Sequence, residues 1–172
     1  MASPADPQPS IRTRDAHGTV TSQTADSTGP AAASDPRLAE QLRALSGNRL
    51  SQFSIGTDGV RLSFWGQDAA TPSRQIVIEQ ETIQVTMPGQ PPQLVPSRGE
   101  LTATALVSTL DHQLTDALTD QGHLNIAFGN GLEISVAPHD QWEAWQITSA
   151  YHLLIVCTPG GQLTIWYPDH ND

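Results

Sequence analysis

The chain has 172 residues, with 18 acidic against 8 basic side chains, a formal net charge of −10 and one cysteine. That length suits one domain of ordinary size plus some additional chain. The carboxylate excess repels phosphates and argues against nucleic acid or an anionic membrane as partner, while a lone cysteine excludes an internal disulfide framework and any multi-cysteine zinc site.

Residues 1–34 contain almost nothing that can be buried. Ile11 and Val20 are their only branched apolar side chains. A segment of this composition cannot offset its conformational entropy, so a disordered tail is expected there. It reads either as a flexible tether or as an unselected extension, and composition favours the second. Its first ten residues lack the basic and apolar regions of a secretory signal. The longest apolar run, Leu153 to Cys157, is far too short to span a bilayer. The cytoplasm is the default expectation, with no positive signal behind it.

The domain is expected to occupy 35–172 and to open on a short helix. Asp35 can cap it, Pro36 suits the first helical position, and Leu38, Leu42 and Leu45 recur on one face. Gly47 supplies a left-handed stop. From Leu50 the texture turns to β. Val60, Leu62 and Phe64 alternate with polar residues, and Asp58-Gly59 ahead of them is a hairpin signal.

A shift of 64 residues repeats the pattern: Leu50 falls on Leu114, Val60 on Leu124, Leu62 on Ile126 and Phe64 on Phe128. Gln121-Gly122 answers Asp58-Gly59 one place early. Ile76-Val77-Ile78 is then matched to Leu132-Glu133-Ile134. Glu81-Thr82-Ile83-Gln84-Val85 and Glu143-Ala144-Trp145-Gln146-Ile147 share the form Glu-x-apolar-Gln-apolar. Pro88-Gly89-Gln90 before Leu94 is likened to Pro159-Gly160-Gly161-Gln162 before Leu163. Between the copies, Ser97-Arg98-Gly99-Glu100 has the form of a capping box opening a second helix, although Thr102, Thr104 and Thr109 weaken it. Leu153–Cys157 and Leu163–Trp166 form a closing hairpin, its first strand apolar on both faces. The reading is a mainly β (β-rich α+β) domain: two pseudo-repeated antiparallel β-meanders, about 38–95 and 100–168, forming a sandwich or barrel with one or two short helices. Chance matching of alternating strands competes with true duplication and is less favoured, because order and spacing persist across four segments.

Candidate chemistry is sparse. Lysine is absent, which excludes Schiff-base catalysis and a P-loop. His139-Asp140 and Asp111-His112 could each be an oriented base or a supported ligand. Neither lies in a spaced ligand motif, so solvated loops are the favoured reading and no metal or cofactor is expected. Glu81 and Glu143, at equivalent positions, could approach as an acid/base couple if the copies pack about a twofold; solvent-facing glutamates are the plainer reading. Such a couple, if buried, would need Arg61 or Arg74 beside it. Trp142 and Trp145 flank Glu143, but spacing by three in a strand sends them to opposite faces. One belongs to the core, and the other is a second-layer contact or an exposed anchor. Cys157 closes an apolar strand and reads as buried and inert.

The second copy, with Gly122-His123-Leu124-x-Ile126-x-Phe128, Gly131-Leu132-x-Ile134-x-Val136, Trp142-Glu143-Ala144-Trp145 and Cys157-x-Pro159-Gly160-Gly161-x-Leu163-x-Ile165-Trp166, resembles a family of small actinobacterial proteins of unknown function. The resemblance covers about 45–168 and implies a compact β-rich domain from a GC-rich bacterium. It implies no activity and no catalytic residues. Three functions stay open: an acidic protein-binding module of immunity or regulatory type engaging a basic protein; a small-ligand carrier with a pocket between the copies; and a hydrolase using the paired glutamates, the least favoured. For the first, Trp142, Glu143, Trp145, Glu81, His139 and Asp140 are the candidate binding residues.

Overall fold

The structure is a computed structural model that describes residues 36–66, 74–149 and 153–166. The expected tail and the cap at Asp35 lie outside the described residues. Helix α1 spans Pro36–Leu45 and buries Leu38, Leu42 and Leu45. Gly47 ends it at φ 85°, where a side chain would be strained, and its N–H donates to the Leu114 carbonyl at 2.8 Å.

Strands β1 (Arg49–Gly56), β2 (Gly59–Trp65), β3 (Arg74–Ile78), β4 (Thr82–Thr86) and β5 (Gln93–Pro96) follow. Helix α2 (Glu100–Val107) then leads into β6 (Leu114–Asp120), β7 (His123–Phe128), β8 (Glu133–Val136), β9 (Trp145–Thr148), β10 (Leu154–Cys157) and β11 (Leu163–Trp166). They form two antiparallel sheets. The first has the order β1-β2-β3-β9-β10-β11, the second β5-β4-β8-β7-β6. The result is a sandwich and not a closed barrel. The inward rows of both sheets, with α1 and α2, make one core.

Connectivity explains why each half needs the other. Each half is a helix, a three-stranded meander and a unit, of two strands in the first half and three in the second, that crosses to the opposite sheet: β4 pairs with β8, and β9 pairs with β3. The halves meet at the bridge between Arg49 and Gln113, two positions 64 apart. The bonds around it are reciprocal. Leu50 N–H donates to His112 O at 3.0 Å and Leu114 N–H to Asn48 O at 2.8 Å; Asp111 N–H donates to Leu50 O just as Gly47 N–H does to Leu114 O. Asp111, at φ 65°, even adopts the left-handed conformation that Gly47 has, at φ 85°, in the first copy. Both meanders carry a bulge at the same place, between Leu50 and Gln52 and between Leu114 and Asp116. At the centre Phe64 stacks on Phe128, with ring centroids 6.3 Å apart and planes 13° from parallel. Such a pair contributes about 0.5–1.5 kcal/mol beyond its area burial.

The same shift runs through the helices, where Thr102, Leu106 and Thr109 are buried opposite Leu38, Leu42 and Leu45. Two of the three threonines that weaken the second helix on propensity, Thr102 and Thr109, are therefore inward-facing, while Thr104 is exposed. Thr102 Oγ1 donates to Pro96 O and Thr109 Oγ1 to Ala105 O, satisfying their hydroxyls.

Four expectations need correction. The first hairpin turns on Thr57 and Asp58, with Gly59 opening β2 at φ 115°, where a Cβ would collide with the Ile78 carbonyl. The turn therefore matches Gln121-Gly122 without an offset. In β3 and β8 the equivalent pairs are Ile76 with Ile134 and Ile78 with Val136, since these face Leu62 with Ile126 and Val60 with Leu124. The likening of Ile76 to Leu132 is two residues out of register. Pro88-Gly89-Gln90 joins β4 to β5, while Pro159-Gly160-Gly161 joins β10 to β11. These turns are not equivalent: β5 corresponds to β10, and β11 has no counterpart. Finally, the capping box does not form. Gly99 is the N-cap of α2, with no side-chain cap bond, and the buried Ser97 Oγ has no partner.

Candidate functional site

Register brings many connections to one end of the sandwich. Gly56 pairs with Gly59, Val60 with Ile78, Ile78 with Trp145, and Trp145 with Cys157. The turn 57–58, the connector 79–81, the loop 137–144 and the turn 158–162 therefore share this end. Trp145 Nε1 donates to Gly122 O at 2.8 Å and Cys157 Sγ to the same oxygen at 3.3 Å, drawing the β6–β7 turn to it as well. Gly122 sits so close to Gly161 that a Cβ would meet its Cα at 2.5 Å. The turn at Gln121 (φ 48°) and Gly122 (φ 80°) has the left-handed pair of a type I′ hairpin. Asp58, Glu79, Glu81, Glu100, Asp120, Asp140 and Glu143 all stand at this pole. Glu40, Asp111, Asp116 and Glu133 lie elsewhere among the described residues.

The two tryptophans divide, but not by strand alternation, because Trp142 lies in the loop 137–144 and only Trp145 is in a strand, at the start of β9. Trp145 is fully buried and its indole N–H is satisfied, so it is core and not a binding residue. Trp142 is 45% exposed and stacks on His139, ring centroids 3.5 Å apart and planes 13° from parallel. His139 is fixed in turn: its Nδ1 accepts from Gln141 N–H at 3.0 Å, and its carbonyl accepts from Gly160 N–H at 2.9 Å. The loop thus holds one large ring rigidly against water, beside the exposed carboxylates of Asp140 and Glu143.

Glu143 precedes β9 of the first sheet, whereas Glu81 precedes β4 of the second. The carboxyl group that feels the Glu143 charge is Glu79, a residue passed over in the sequence because it lies between the strand pattern and the shared Glu-x-apolar-Gln-apolar form. Burial raises the Glu79 pKa above the usual glutamate range, the Glu143 and Asp58 carboxylates raise it further, and the Gln146 side chain, donating to Oε1 at 3.2 Å, offsets part of the rise. Glu81 is exposed at the start of β4, and its main-chain carbonyl accepts from Ser97 N–H. The arginines considered as partners are engaged elsewhere: Arg61 with the Gln75 side chain, Arg74 with Ala44 O and Asn48 Oδ1. Arg98 ties α2 to the first turn through Thr57 O at 2.6 Å. Cys157 is buried and its thiol is pushed up to about 11 by that burial, so it holds its proton at neutral pH.

Space for a small ligand is limited. The interval between the copies is filled by core side chains, including the Phe64–Phe128 pair. One concavity of about 230 Å³ lies between α1 and β6, lined by Leu38, Leu42, Asp116 and Leu118. A second, of about 250 Å³, lies on the second sheet over Gln84, Asn125 and Ser135. Both fall below the usual size of a ligand pocket, about 300–1,000 Å³, and neither reaches Glu81 or Glu143. Among the described residues no group of three or more His, Cys, Asp and Glu side chains is placed to hold a metal ion, and no helix is long and apolar enough to cross a membrane.

No curated protein and no solved structure matches the chain. A family model does, over residues 41–167, which takes in both copies from the second half of α1 to the end of β11. By that match the chain belongs to DUF6188, a family of unknown function.

Proposed function

We propose that this chain is a non-catalytic protein-binding module, of regulatory or immunity type, whose acidic pole engages a basic segment of a protein partner. The observation that carries this reading is the gathering of Asp58, Glu79, Glu81, Glu100, Asp120, Asp140 and Glu143 at the end of the sandwich that also carries the exposed, stacked ring of Trp142. A fixed aromatic anchor with a carboxylate rim has the make-up of an interface hot spot. An indole face attracts guanidinium and ammonium groups, and the surrounding charge steers a basic partner into contact. The narrow concavities and the filled interval between the copies support a surface reader over a ligand carrier.

The test is a fluorescence titration of the full chain with an arginine-rich peptide at low and high salt, with an acidic peptide of equal length as control. The basic peptide should bind at low salt and weaken steeply as salt rises. Trp142→Ala should abolish the binding, and Glu143→Gln should weaken it. Absence of binding at low salt, or binding that ignores both substitutions, would overturn the reading.

A further inference from the structure

The acidic pole is also the end at which residues 1–35 join the domain. Under the 64-residue shift, Pro36 at the start of α1 answers Glu100 at the start of α2. Glu100 stands at the pole, and Arg98 just before it donates to Thr57 O in the β1–β2 turn. Helix α1 takes the equivalent course. Its end lies beside Leu114, to which Gly47 N–H donates, and its Leu38, Leu42 and Ser46 lie along Asp116, Leu118 and Thr119 of β6. Pro36 is thus directed to the end where β6 reaches Asp120 and the turn at Gln121. The other stretches outside the described residues, 67–73, 150–152 and 167–172, adjoin Trp65, Arg74, Thr148, Leu154 and Trp166, at the opposite end of the sandwich.

Charge at the pole is unbalanced. Arg49 donates to Asp111 O, Arg61 to Gln75 Oε1, Arg74 to Ala44 O and Asn48 Oδ1, and Arg98 to Thr57 O, so none of these four arginines donates to a carboxylate. Asp58 and Glu143 act on Glu79 as like charges instead. In residues 1–35 the arginines are Arg12 and Arg14, two positions apart, with Asp15 directly after them and Asp6, Asp26 and Asp35 farther off. Arg14 precedes Pro36 by 22 residues. That length reaches at most about 70 Å, well beyond the roughly 25 Å across six strands.

We propose that residues 11–14 of the same chain dock on this pole, placing Arg12 and Arg14 among the carboxylates of Asp58, Glu79 and Glu143, and so compete with the basic partner for one surface. The inference rests on the function proposed above and adds its regulation: the chain carries its own competitor. In an extended docked backbone Arg12 and Arg14 project to one side and Thr13 and Asp15 to the other, which turns the adjacent carboxylate away from the pole. The exposed Trp142 ring offers a face for either guanidinium. Attachment at the pole holds the segment near its site at about millimolar effective concentration, so contacts too weak to hold a free peptide suffice. Exposed ion pairs each contribute little. The docking is therefore partial, and a partner with more basic residues displaces it.

A nitroxide attached at Ser10→Cys in the isotope-labelled full chain tests it. Cys157, the one native cysteine, is buried with its thiol pushed up to about 11, so the label goes to the added site. At low salt the label should broaden the amides at 57–59, 79–81 and 139–144. Tethering alone brings the label near this end, so the deciding arm is Arg12→Ala/Arg14→Ala in the same labelled chain. That pair of substitutions should reduce the broadening about twofold or more, as should salt at about 0.5 M. An arginine-rich peptide should bind the unlabelled Arg12→Ala/Arg14→Ala chain about threefold or more tighter than the wild type, because no competitor has to leave. Equal broadening in the two labelled chains, broadening that rises with protein concentration, or equal peptide affinities would overturn the contact and leave the binding function standing. A peptide that binds neither chain would overturn the function itself, and the label would still decide the contact.

Discussion

In the first half of the chain β3 passes to β4 through three residues, 79–81; in the second half β8 passes to β9 through eight, 137–144. The connectors join equivalent strands: β3 and β8 each end a three-stranded meander, and β4 and β9 each cross to the opposite sheet, where β4 pairs with β8 and β9 with β3. The added length holds Pro138, His139, Asp140, Gln141 and Trp142. The second half also adds β11 at the sheet edge. The core is thus made twice by one plan, and the features that set this molecule apart appear where the plan is broken. Such a division is physically reasonable. Each half contributes half of a shared interior, so core positions are constrained by their twins, while a surface connector answers only to its own turn geometry.

The equivalent positions Ile83 and Trp145 put the sharpest strain on that comparison, because both are fully buried and only Trp145 carries a polar atom. Trp145→Ala should lose about 3–5 kcal/mol in urea unfolding, at the upper end because the Gly122 carbonyl also loses its donor. Ile83→Ala should lose about 2–5 kcal/mol. A loss for Trp145→Ala below that for Ile83→Ala would show that the second half tolerates a cavity the first does not. A finer test is the central pair. Phe64→Leu and Phe128→Leu should cost similar amounts, about 1 kcal/mol each, and the double variant should reveal coupling of about 0.5–1.5 kcal/mol. Unequal single costs or absent coupling would mean that the halves do not share their centre evenly.

Smaller effects sharpen the contrast at the connectors. The Glu79 pKa is raised in the folded state, so the folded chain holds that proton more tightly than the unfolded chain does. The associated stability is complete below the ordinary glutamate pKa and is lost as pH rises through the raised value. Glu79→Gln should therefore stabilise the protein at neutral pH, and the gain should vanish in acid. The group is only partly buried, and solvent screening limits the gain to about 0.5 kcal/mol. Urea midpoints at pH 3.5 and 7 read the difference. Trp142→Ala, removing an exposed ring held by one stacking contact, should change stability by about 0.5 kcal/mol or less. A large loss there would make Trp142 a structural residue and remove it from the binding surface.

How far the sequence could be read depended on whether spacing was kept. From α1 through β2 the copies are in step, and Leu50 with Leu114, Val60 with Leu124 and Phe64 with Phe128 are all found by one shift. Beyond β2 the loop lengths differ, and local texture misled. Leu132 looks like Ile76 because both open an apolar triplet, but the ladder fixes Ile134 opposite Ile126 and thereby moves the register by two. The Pro-Gly turns looked alike because any tight hairpin recruits those residues. Glu81 and Glu143 were aligned correctly, since Gln84 with Gln146 and Val85 with Ile147 occupy equivalent ladder sites. Their proximity did not follow from that alignment, because β4 and β9 belong to opposite sheets. Alternation did not apply to Trp142, which lies in a loop before β9, and only the fold could show that Glu79 is the carboxyl group that feels the Glu143 charge.

The most direct measurement on the acidic pole is amide chemical-shift mapping of the isotope-labelled chain as an arginine-rich peptide is added. The account predicts changes concentrated at 57–59, 79–81, 120–123 and 137–144, with the Trp142 indole N–H among the largest. Shifts centred instead on β4, β7 and β8 of the second sheet, or no shifts at low salt, would contradict it.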